Sequence, residues 1–89
     1  MSRIVFAPAI QRHMPVPERT VAAATVGAAL EAVFRQQPAL RGYIVDDQGQ
    51  LRRHMAIFVD GQVIHDRLRM SDPVGAGSHI YVVQALSGG

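Results

Sequence analysis

Cysteine is absent from the 89 residues, and so is lysine. Without cysteine there is no disulfide, no thiolate metal ligand and no cysteine nucleophile. Without lysine the nine basic residues are all arginine, so no side-chain amine of this chain can capture an activated carboxyl group. Charge is scarce too. A formal net charge of +2, with Arg52-Arg53 and Arg67/Arg69 as short local groups, is too small and too scattered for nucleic-acid binding. No apolar run is long enough to span a bilayer. Met1-Ser2-Arg3 leads directly into a strand-like segment rather than a signal-peptide core. A soluble, cytoplasmic protein without membrane contacts is expected.

Motifs for self-sufficient chemistry are missing as well. Gly75-Ala76-Gly77 lacks the third glycine and the following lysine of phosphate-binding loops. His13, His54, His65 and His79 have no metal-ligand spacing. Asp46-Asp47-Gln48-Gly49 lacks the alternating oxygen ligands of a calcium loop and reads as a turn. Ser87 has no base placed near it by sequence, and Met14, Met55 and Met70 read as packing residues. No catalytic residue, metal site or bound cofactor is expected on this chain. Its length allows one domain, which buries only about 60–65% of the unfolded surface and has little room for a deep cleft. A hydrophobic content of 48% against 18% charged residues argues for a folded domain rather than disorder.

What is present is an ordered set of elements. Arg3 to Ala7 reads as a strand closed by Pro8. Residues 10–17, with Pro15 and Pro17, read as a loose connection, and Glu18 to Ala22 as the second strand of a hairpin. Val26, Ala29, Leu30, Val33 and Phe34 form one apolar stripe at helical period. Thr25 is the expected N-cap, Glu31 and Arg35 an i,i+4 pair, and Pro38 the end of the helix. Burying that stripe contributes roughly 6–10 kcal/mol, and ordering the helix costs at least as much, so a sheet must lie beneath it. Leu40 to Gln50 reads as a long connection. His54 to Val59 is a strong strand, Asp60-Gly61 a tight turn, and Gln62-Val63-Ile64 the return. Residues 65–78 are polar, and His79 to Ala85 is the last strand. Hairpin, helix, strand, strand, terminal strand is the α+β order of a ubiquitin-like β-grasp. It calls for a mixed sheet of four to five strands, with one main helix packed on one face.

The chain then ends Leu86-Ser87-Gly88-Gly89. The division expected is a domain over 1–85 and a flexible tail over 86–89. An ionised α-carboxylate is a poor electrophile. Activation calls for an acyl adenylate made from ATP, and ATP would have to bind to a partner. Glycine lets a backbone thread a channel in which any Cβ would clash.

Several segments resemble the bacterial sulfur-carrier family of ubiquitin-like proteins, of the molybdopterin synthase small subunit and thiamine sulfur carrier type (ThiS/MoaD-like). They are Leu51-Arg52-Arg53-His54-Met55 through Val59-Asp60-Gly61, then Gly77-Ser78-His79-Ile80-Tyr81-Val82, and Ala85 to Gly89. The resemblance covers nearly the whole chain and is weakest over residues 8–20. Asp60-Gly61 and Gly77-Ser78 depart from the commonest family turns but keep the turn chemistry. The extra length around residues 38–53 disfavours the thiamine branch.

The resemblance implies adenylation of the Gly89 carboxylate by an E1-like enzyme carrying ATP and Mg. Conversion to a thiocarboxylate would follow, and then sulfur donation on a synthase or large subunit in cofactor or metabolite biosynthesis. Leu86, Ser87 and Gly88 would supply the passage. A protein modifier conjugated through Gly89 and a non-covalent interaction module are the alternatives. Strand alternation with the family pattern sends Ile57, Val59, Ile80 and Val82 to the helix side. Ala56, Phe58, Tyr81 and Val83 are left as an apolar patch on the open face, for a partner, a terminal segment or a second copy to cover. The inward register of the first strand, Ile4/Phe6 or Val5/Ala7, stays open.

Overall fold

The computed structural model describes residues 1–84. The expected tail, Leu86 to Gly89, and Ala85 before it lie outside the described residues. Among the described residues there are five strands: β1 (Ser2–Phe6), β2 (Arg19–Val21), β3 (Met55–Val59), β4 (Gln62–Val63) and β5 (His79–Gln84). They form one mixed sheet in the order β2-β1-β5-β3-β4. β1 and β5 are parallel at its centre, and every other pairing is antiparallel. The main helix, α2 (Val26–Gln36), buries Val26, Ala29, Leu30, Val33 and Phe34. These are the residues of the sequence stripe, and they share one core with Ile4, Phe6, Ile57, Ile80 and Val82. The molecule is a ubiquitin-like β-grasp.

Local signals behave as chemistry dictates. Thr25 caps α2, its hydroxyl accepting from the Ala28 amide at 3.1 Å. The next two orphan amides of the helix are met from the loop before β5. Val26 N–H donates to the Asp72 carbonyl and Gly27 N–H to the Met70 carbonyl, at 3.0 and 2.8 Å. Gly27 suits that approach, because a Cβ there would stand a tight 3.1 Å from the Arg69 carbonyl oxygen. Asp60 and Gly61 both take positive φ, 50° and 86°, which a two-residue hairpin turn between β3 and β4 demands. The first strand resolves its own ambiguity: Ile4 and Phe6 point inward, and Val5 faces out.

Three expectations need correcting. Residues 10–17 are not loose. Pro8 opens a helix, α1 (Pro8–His13), because its missing N–H costs nothing in a first turn. Gln11 then staples the following segment, exchanging hydrogen bonds of 2.6 and 2.7 Å with the backbone of Val16, which is buried. Residues 38–51 are likewise structured. A 3-10 turn (Pro38–Leu40) runs into α3 (Arg41–Ile44), and Leu40, Ile44, Val45 and Leu51 are core residues. Finally, Glu31 hydrogen-bonds Arg41 rather than Arg35. The chain doubles back after Pro38 and brings the Arg41 guanidinium onto both carboxylate oxygens, at 2.6 and 2.7 Å. That contact holds the Glu31 carboxyl below its ordinary range.

Candidate functional site

The patch expected from the sequence falls on the open face of the sheet. Residues paired across neighbouring strands share a face, and the register places four apolar side chains in one row. Val5 pairs with Tyr81, Tyr81 with Phe58, and Phe58 with Val63. The row therefore crosses β1, β5, β3 and β4. Beside it, Val83 pairs with Ala56 one step nearer the end of β5. Tyr81 is 41% and Val63 51% exposed, and Val5, Ala56, Phe58 and Val83 are half-buried.

All four patch residues read from the sequence, Ala56, Phe58, Tyr81 and Val83, thus lie together on the face away from α2. The structure adds Val5 and Val63. Val5 could not be assigned while the register of β1 was open, and β4 has only two residues, too few for alternation to reveal its outward side. The far end of the face is polar. Arg3 lies opposite His79 and pairs with Glu18 at 2.9 Å.

At the other end β5 reaches Gln84, and the sequence goes on as Ala85-Leu86-Ser87-Gly88-Gly89. The expected reacting group, Gly89, and the expected passage, Leu86, Ser87 and Gly88, are outside the described residues. The base from which they depart is described in detail. The Gln84 side chain accepts a hydrogen bond from the Tyr43 hydroxyl at 2.6 Å. Rings of His13 and His54 lie 5.3 and 6.4 Å from the Tyr43 ring.

Other polar groups are spent on structure. Asp66 accepts from the amides of Leu68, Arg69 and Ser71 and from the Ser71 hydroxyl. Those donors, the Arg69 amide foremost, pull its carboxyl down to about 2. Asp72 accepts from the amides of His65 and Asp66 and is lowered for the same reason. Asp46 closes the 46–50 turn through the amides of Gln48 and Gln50. Among the described residues no three His, Cys, Asp or Glu side chains gather as a metal site would require. A cavity of about 240 Å3 lies on the helix side, lined by Gly27, Glu31, Phe34, Arg41 and Arg69 among others. It includes none of the patch or tail residues expected from the sequence to form the site. No helix among the described residues is long and apolar enough to cross a membrane.

The model of the ThiS family matches the chain over residues 6–89. The chain belongs to the ThiS family. No curated protein matches it in sequence. Solved structures match it in fold. CysO in the BexX/CysO complex of Amycolatopsis orientalis superposes with a TM-score of 0.81 at 15% identity, covering 100% of both chains. The small archaeal modifier protein 1 (SAMP1) of Methanosarcina acetivorans gives 0.79 at 18% identity, covering 99% of this chain and 95% of that one. Urm1 of Sulfolobus solfataricus gives 0.66 at 16% identity, covering 92% and 97%. The chain is thus a ThiS/MoaD-like member of the ubiquitin-like sulfur-carrier family. At these identities the solved structures speak for the fold alone.

Proposed function

We propose that this ThiS-family protein is a sulfur carrier whose reacting group is the Gly89 carboxylate. The observation that carries the reading is the apolar row Val5-Tyr81-Phe58-Val63, flanked by Ala56 and Val83 at the end of β5 that continues toward Gly88-Gly89. Such a face gives an enzyme a grip on the domain close to the segment it must act upon. Family membership supports the same reading.

The chemistry follows from the weakness of the carboxylate as an electrophile. An E1-like partner binds ATP and Mg. One oxygen of the Gly89 carboxylate attacks the α-phosphorus, pyrophosphate leaves, and a mixed anhydride with AMP results. Hydrosulfide then adds to the Gly89 carbonyl carbon and expels AMP, leaving a thiocarboxylate and releasing a proton. That sulfur is donated to a small-molecule acceptor held on a synthase or large subunit. This chain supplies the docking face and the terminus. Catalytic groups and nucleotide belong to the partners, and the setting is cytoplasmic.

Incubation with an E1-like enzyme, ATP and a sulfur source should raise the intact mass by one sulfur-for-oxygen exchange, and deletion of Gly89 should abolish the change without unfolding the domain. An unchanged mass, under conditions that load a known carrier, would sink the proposal. The fold shared with the small archaeal modifier protein 1 favours a second reading, conjugation of Gly89 to amines of other proteins. High-mass conjugates that vanish on deletion of Gly88 and Gly89 would identify it. Because the chain has no lysine, conjugates carrying it could not be extended through its side chains.

A further inference from the structure

Each residue of the one-turn helix α3 is tied to something outside it. Arg41 pairs with Glu31 on α2. The Gly42 carbonyl accepts from Arg52 Nε at 2.8 Å, and the Ile44 carbonyl accepts from the Arg52 amide at 3.0 Å. Ile44 itself is fully buried. Four residues make no stable helix alone, so these ties set its position. Tyr43 stands between the two carbonyls that Arg52 holds. Its phenol is therefore placed, and it reaches across 41 residues of sequence to Gln84. His13 from α1 and His54 from the lead-in to β3 flank it. Two further elements thus pack against the ring whose hydroxyl holds the last described residue of β5.

We propose that Tyr43 is a positioning residue for the reaction at Gly89, acting through Gln84 to fix where and in what direction the terminal segment leaves the domain. The inference rests on the reading of Gly89 as the reacting group. A strand held to its last residue presents the following segment from a fixed base, whereas a fraying strand end multiplies the placements the terminus must search. Small errors in placing a reacting group cost rate steeply. Gln84 pairs with the buried Met55 and faces the helix side, while Phe58 and Tyr81 face the open side. Grip and aim are thereby assigned to opposite faces, so their loss should be kinetically separable.

Tyr43→Phe keeps the ring and removes the hydroxyl. In ATP–pyrophosphate exchange with an E1-like enzyme that activates the wild-type chain, kcat should fall about three- to tenfold, while the KM for the carrier stays within about twofold. Gln84→Leu should cause the same loss, and the double variant no more than either alone. Nitrogen-15 relaxation needs no partner. It should report larger fast motions at the amides of Gln84 and Ala85 in Tyr43→Phe, with Ile80 to Val82 unchanged. An unaltered kcat, additive losses in the double variant, or unaltered motion at residues 84–85 would each overturn the assignment. If no adenylating enzyme activates even the wild-type chain, the reading of Gly89 fails, and the relaxation comparison still decides whether Tyr43 holds the strand end.

Discussion

Alternate residues of the same three strands meet opposite fates. Ile4, Ile57, Ile80 and Val82 are at most 1% exposed beneath α2, whereas Val5, Phe58, Tyr81 and Val83, their immediate chain neighbours, are left open or half-covered. Composition does not separate the two sets, since both are apolar and β-prone. The difference is that one face has a helix to lie under and the other, among the described residues, has none. Burial on the closed face is spent on folding, and on the open face it remains available for association. Substitutions should therefore sort by face rather than by side-chain size. Ile57→Ala should cost about 2–5 kcal/mol of unfolding free energy, read as a lower denaturant midpoint at unchanged slope. A cost no greater than that of Phe58→Ser would break the distinction.

The open face should respond in the reverse sense. Tyr81→Glu puts a charge in the centre of the row, where interface hot spots concentrate. Affinity for the adenylating partner should drop by about 2 kcal/mol or more, roughly thirtyfold, by titration calorimetry. Unfolding free energy should move by no more than about 0.5 kcal/mol, as expected of surface positions. If stability falls instead and affinity holds, the face is structural and the partner grips elsewhere.

The division into faces was legible in the sequence for β3 and β5, because Met55 to Val59 and His79 to Gln84 are long enough to alternate visibly. So was α2, whose stripe spans two turns and whose cap, Thr25, is followed by an uninterrupted apolar period. Shorter elements escaped. α1 has one fully buried side chain, Ile10, and α3 is a single turn, so neither offers a period to detect. Pro8 was ambiguous between ending a strand and opening a helix. The same lack of local signal hid Tyr43, whose role depends on a contact 41 residues away. The patch was recovered at Ala56, Phe58, Tyr81 and Val83 and missed at Val5 and Val63, where only pairing register assigns the face.

The closed face depends on how tightly the start of α2 meets residues 69–72, and Gly27 sharpens that point. Alanine is normally preferred over glycine in a helix by up to about 1 kcal/mol. Here a Cβ would press to 3.1 and 3.3 Å on the carbonyl oxygens of Arg69 and Met70. The Met70 carbonyl cannot retreat without lengthening its hydrogen bond from the Gly27 amide. Overpacking costs about 1–3 kcal/mol, so Gly27→Ala should be destabilising by about 1 kcal/mol on thermal or chemical unfolding. A stabilised variant would mean that this loop yields, and that the closed face is less rigid than its burial implies.

Acid probes the same contact more gently. Asp66 organises residues 66–71 through four hydrogen bonds to its carboxylate, and its folded-state value of about 2 lies below the ordinary 3.8. A carboxyl lowered on folding stabilises the folded form above its unfolded value and loses that contribution as pH falls toward the folded one. The window here runs from about pH 4 down to about pH 2. Glu31 and Asp72 are lowered as well, so the acid profile of the wild type mixes three groups. Asp66→Asn isolates one of them: its stability deficit should be full and constant above pH 5, shrink through that window, and vanish near its lower end. Urea unfolding of both proteins across the range would measure this. A deficit that persists undiminished at the acid end would mean that the shape of the side chain, rather than its charge, orders the loop on which α2 rests.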